Sequence, residues 1–157
     1  MSYDIYFVRR APGQSWDDAL DALEAEEDAR EAEVPSSRGQ WEQVVSGVQE
    51  ILAGALVVED PPVREIDDRG GTEIQVSCFS SREWSLTVPY WSSGEAARAI
   101  AAQLRAVARV VQDATGLEAY DPQLDAAVVS GDWTPEKAAV VFDQVARSFE
   151  QRGIRHG

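Results

Sequence analysis

A chain of 157 residues with 44% apolar content has the material for one domain with its own core, unaided by disulfides or metal. Its 28 acidic residues outnumber 14 basic ones and leave a net charge of −14; this argues against a nucleic-acid or anionic-membrane surface, because phosphate rewards Lys and Arg. The single cysteine, Cys78, excludes an intramolecular disulfide and a cysteine-built metal site.

Tyr3 to Val8 (YDIYFV) is a short run of aromatic and β-branched residues, suited to an interior strand on which later strands are laid. Within it Asp4 must find a partner, such as an arginine, or face outward at the end of the sheet. Ser15 is a cap for a helix over 15–30, with Asp18 at the capping-box position and Trp16, Ala19, Leu20 and Leu23 as a narrow apolar stripe. Between Asp17 and Glu33 stand nine acidic residues and one base, Arg30, so eight of the fourteen excess negative charges fall in one segment. Two readings stand: a solvated helix face, or an acidic docking surface. On the second, the residues that meet a basic partner are Asp17, Asp18, Asp21, Glu24, Glu26 and Glu27, with the 59–68 loop nearby.

A second helix runs from Ser37 to about Ala53, with Trp41, Val44, Val45, Val48, Ile51, Leu52 and Leu56 at helical spacing; Gly47 and Gly54 weaken it, and Gly54 marks its end. Residues 57–62 (VVEDPP) read as a loop and REIDD after them as a weak strand around Ile66. The most regular stretch follows. Ile74, Val76 and Cys78, then Trp84, Leu86, Val88 and Tyr90, alternate with polar neighbours around a short SSRE turn, which predicts an antiparallel hairpin. Ser92 and Glu95 form a capping box for a long helix that ends at Thr115-Gly116, its buried stripe marked by Ala97, Ile100, Ala101, Leu104, Val107, Ala108 and Val111. Leu117 to Tyr120 is a short strand reached by a crossover from Trp91. Thr134 and Pro135 open the last helix, which buries Ala138, Val141, Phe142, Val145 and Phe149 before a polar tail at 151–157.

The order β-α-α-β-β-β-α-β-α predicts an α+β single domain spanning 1–157, with a mostly antiparallel sheet of four or five strands covered by helices. No signal-peptide pattern or run long enough to span a bilayer occurs, so a soluble cytoplasmic protein is expected.

No catalytic motif emerges. The lone histidine, His156, is one residue from the end of the sequence, which leaves a Ser–His system or histidine metal site with nothing to build on, and neither metal nor cofactor is expected. Gly70-Gly71 lacks the Lys-Ser or Lys-Thr of a phosphate loop. The best local cluster is aromatic. If the strands ending at Trp91 and Tyr120 are parallel neighbours, Tyr90, Trp91, Tyr120 and Asp121 converge on one sheet edge as a candidate ligand pocket; the competing reading makes them peripheral core with Asp121-Pro122 as a turn.

The opening SYDIYFV, and GTEIQVSCF and SLTVPYW followed by TGLEAYDPQL after a long helix, resemble small bacterial proteins of actinobacterial type that open SYD-aromatic. Such proteins are similar to the immunity proteins of polymorphic or contact-dependent toxin systems. The resemblance leaves out the acidic helix and carries no catalytic residues. It implies a compact acidic inhibitor without catalytic machinery, with a basic toxin as its partner. Self-association through an open strand edge is the remaining expectation.

Overall fold

The computed structural model describes residues 2–29, 38–60, 63–79, 83–89 and 94–151. The elements are β1 (Ser2–Val8), α1 (Trp16–Ala29), α2 (Arg38–Ile51), β2 (Leu56–Asp60), β3 (Val63–Asp67), β4 (Gln75–Cys78), β5 (Trp84–Pro89), α3 (Gly94–Thr115), β6 (Glu118–Asp121), β7 (Ala126–Ala127) and α4 (Pro135–Gln151). All strands join one antiparallel sheet in the order β2-β3-β4-β5-β1-β6-β7. The fold is α+β, as the sequence predicts, with seven strands rather than four or five.

The aromatic and β-branched run at the start of the chain becomes the interior strand β1, paired with β5 on one side and β6 on the other. β5 and β6 therefore point the same way without touching, because β1 lies between them. The expected adjacency of those two strands is thus corrected. Two strands were not foreseen. Leu56, expected as the last apolar position of the second helix, and residues 57–60, expected as loop, instead form β2, and all five are exposed. A strand with neither face buried has no reason to alternate, so the period-two signal is missing. β7 has only two residues and is too short to carry a pattern.

Alternation of side chains across the ladder sorts the sheet into two faces. Tyr3, Ile5 and Phe7 of β1, Trp84, Leu86 and Val88 of β5, Val76 and Cys78 of β4, and Ile66 of β3 face inward and are buried. They meet Trp41, Val44 and Val48 of α2, the Ala97-Ala101-Leu104-Val107-Ala108-Val111 stripe of α3, and Ala138 and Phe142 of α4 in one core. At the start of α4, the Lys137 N–H donates to Thr134 Oγ1 at 3.2 Å, so the expected cap and the Pro135 start both hold. Among the described residues no helix is long and apolar enough to cross a membrane.

The close approach of α2 to α3 rests on Gly47. A Cβ at that position would lie 2.6 Å from Val110 Cγ1, on a side chain that is stiff at χ1. The glycine costs helix propensity and gains contact. Gly47→Ala should therefore destabilise the protein by about 1–3 kcal/mol through overpacking, although the same change in a free helix gains about 1 kcal/mol. Urea unfolding of Gly47→Ala, and of the pair with Val110→Ala, checks this: the pair should recover most of the loss. A stabilising Gly47→Ala would refute the contact.

Candidate functional site

The second face of the sheet is the candidate site. Register assigns it Leu56, Val58 and Asp60 of β2, Val63, Glu65 and Asp67 of β3, Gln75 and Ser77 of β4, Ser85, Thr87 and Pro89 of β5, Ser2, Asp4, Tyr6 and Val8 of β1, and Glu118 and Tyr120 of β6. Not one of these positions holds Lys or Arg. Glu118 is paired with Arg10 at 3.3 Å and Asp67 is approached by Arg69 at 3.6 Å. Asp4, Asp60 and Glu65 have no cation partner among the described residues. Asp4 faces outward, as one of the two sequence readings has it, and accepts from Ser2 Oγ at 2.8 Å. Tyr6 is 40% exposed at the centre of this face. Partial burial, then the neighbouring Asp4 carboxylate, raises the Tyr6 phenol above its ordinary value, so it stays a neutral donor.

Among the described residues, α1 roofs one end of the face. Ser15 caps this helix: its Oγ accepts from the Asp18 N–H at 3.1 Å. Ala19 is buried on Val8 and Tyr120, with Trp16, Leu20 and Leu23 packed around them as the narrow stripe predicts. So small a contact is reinforced by a stack. The Arg10 guanidinium lies 3.8 Å from the centroid of Trp16, and Trp16 stacks on Tyr120 at 4.5 Å. Tyr120 in turn donates to Asp125 Oδ1 at 2.7 Å. Burial and that bond hold its phenol at about 12, so it is protonated at any ordinary pH.

Two clefts bracket the open area. One, of about 470 Å³, runs between α1 and the sheet and is lined by Tyr6, Phe7, Leu20, Leu23, Phe79, Trp84 and Ser85 with Glu24 and Glu83. Trp84 Nε1 is a buried N–H with no hydrogen-bond partner among the described residues. The other cleft, of about 300 Å³, is acidic and includes Asp67, Asp68 and Glu73. Asp68 is occupied as a turn former, accepting from Thr72 N at 2.9 Å and from Thr72 Oγ1 at 2.6 Å. Among the described residues no group of three or more His, Cys, Asp or Glu could hold a metal ion.

The Tyr120-Asp121-Pro122-Gln123 element has a different character. Asp121 is fully buried on the inner face. Its Oδ1 accepts from the Gln123 and Leu124 backbone N–H groups at 2.8 and 3.4 Å. Its Oδ2 accepts from Trp133 Nε1 at 2.7 Å and from the Tyr3 hydroxyl. A ligand would have to displace Tyr3 or Trp133 to reach the carboxylate, and Tyr120 is buried beneath Trp16. Of the candidate pocket set, Tyr90 and Trp91 lie outside the described residues. Of the acidic set, Asp17, Asp18, Asp21 and Glu24 are exposed on α1, while the Glu26 and Glu27 side chains lie outside the described residues, as does His156. The acids of β1 and β3 join the α1 acids on one side of the sheet. The sequence carried that signal only as polar positions alternating with core ones. Comparisons with protein-family models, with curated proteins and with solved structures find no match to this chain.

Two predictions follow the geometry. Burial raises the Asp121 carboxyl above its ordinary 3.8, against the pull of its four hydrogen bonds. The folded value exceeds the unfolded one, so this group's proton linkage favours folding most at low pH and is lost as pH rises through the folded value. Asp121→Asn sets an NH2 against donors and should cost about 1–3 kcal/mol. Urea titrations at stepped pH should show the wild-type advantage over Asp121→Asn narrowing from pH 4 upward; a widening gap would contradict the raised value. Trp16→Ala should leave the core intact yet raise hydrogen exchange across α1 at least tenfold, since a lost stack of about 1.4 kcal/mol is one decade in the opening equilibrium.

Proposed function

We propose that this protein is a non-enzymatic protein-binding module that captures a basic partner on the open face of its sheet and the adjoining acidic helix α1. The observation that carries this reading is a seven-stranded sheet whose whole outer register holds acids and no cations, with all the other helices on the opposite side. Charge of one sign over a broad face speeds encounter with a partner of the other sign and discourages wrong ones. The cleft beside Tyr6 adds an anchor point. Its apolar floor from Leu20, Leu23 and Phe79 suits the aliphatic stem of a partner's Arg or Lys, and Glu24 suits the charged head. The resemblance to immunity proteins supports a basic toxin as that partner, with inhibition by occlusion as the mechanism.

The test separates local charge from total charge. Asp4→Asn, Glu65→Gln, Asp21→Asn and Glu24→Gln together neutralise four acids of the face. Glu50→Gln, Asp113→Asn, Asp132→Asn and Glu136→Gln remove as many acids from exposed positions on the helical side. A partner retained by the wild type at low salt should associate with the first variant about tenfold more slowly, and with a shallower salt dependence. It should associate with the second almost as fast as with the wild type. Equal rates for the two variants would reject the face as the recognition surface.

A further inference from the structure

The edge strand β2 is unlike any other part of the surface. Leu56, Val57 and Val58 are consecutive and 62%, 38% and 48% exposed. They lie at the end of the sheet order, so alternate backbone N–H and C=O groups of the strand point away from β3. The opposite edge is closed down to the two residues of β7. Proteins commonly guard a long edge with charge; here Leu56, Val57 and Val58 carry none, and Glu59, next along the strand, is paired with Arg38 and, at 3.4 Å, with Arg64.

We propose that β2 is a homodimer interface, in which two copies join antiparallel about a two-fold axis at Val57 and continue the seven-stranded sheet from one chain into the next. The register is set by the residues. Opposed residues of an antiparallel pair share a face, so centring on Val57 sets Val57 against its own copy on the inner face and Leu56 against Val58 of the second copy, twice, on the outer face. All three apolar side chains are then used on each other. Glu59 falls opposite Ala55 of the second copy and Asp60 beyond it, so no like charges meet. A parallel arrangement would align Glu59 with its own copy and would not close. A five-residue seam is small beside the roughly 1,600 Å² of a standard interface, so the dissociation constant is on the order of tens of micromolar. Two chains of −14 repel each other; salt should therefore strengthen this association, the reverse of its effect on capture of a basic partner.

Sedimentation equilibrium over a concentration series, at low and moderate salt, reads the mass directly. The expected result is a rise from the 17.2 kDa monomer toward twice that mass, shifted to lower concentration by salt. Val57→Lys and Val57→Glu each place like charges at the axis and should each sediment as monomers; mixed in equal amounts, they should restore the dimer. A wild type that stays monomeric to its solubility limit overturns the proposal, and so does a dimer that survives both single variants. Capture of the basic partner through the acidic face is unaffected by either result.

Discussion

The carboxylate of Asp121 is the constraint on which the rest of the arrangement depends. It lies fully buried, where an unpaired charge costs several kcal/mol, and it is met by N–H and O–H dipoles rather than by a cation. Those donors come from three places: Tyr3 on the first strand, Trp133 just before α4, and the turn after β6. One side chain thereby fixes the N-terminal strand, the corner of the sheet and the entry of the last helix in register with one another. The Tyr3 ring, held there, packs on Phe142 at 4.9 Å, so the polar knot and the apolar core share a boundary. α1 leans on the same corner from the other side, through Tyr120.

How much of this was legible depended on whether a residue's neighbours in sequence were also its neighbours in space. Trp84, Leu86 and Val88 have one buried face, so alternation announced β5. The α3 stripe and the Thr134-Pro135 start were equally plain. β2 was missed because its residues are exposed on both faces and nothing enforces a period. Gly47 read as a flaw in a helix, since propensity is a local property and the approach of Val110 is not. The role of Asp121 was open for the same reason: Pro122 and Gln123 mark a turn, but no pattern near residue 121 reveals that Tyr3 and Trp133 arrive there. The acidic helix was visible as composition. That Asp4 and Glu65 share its side of the molecule needed the strand register.

The two sides of the sheet differ in what covers them. α2, α3 and α4 bury the inner side chains, and these contacts account for the cohesion of the domain. On the outer side, Ala19 is the deeply seated residue among the described side chains of α1, packed on Val8 and Tyr120. Among the described residues, Asp17, Asp18, Asp21 and Glu24 of α1 are exposed and do not oppose packing. Self-repulsion among the surface acids is tolerable because, Asp121 apart, the core beneath them is apolar.

The two-faced ladder also bears on descent. Along β5 and through most of β1, every second side chain enters the core and the intervening one is free of it. Substitutions at Asp4, Glu65, Ser85 or Thr87 leave the packed layer as it is, whereas substitutions one residue away reach Tyr3, Ile66, Leu86 or Val88. The outer positions can therefore change in sequence while the packed layer, and with it the fold, is kept.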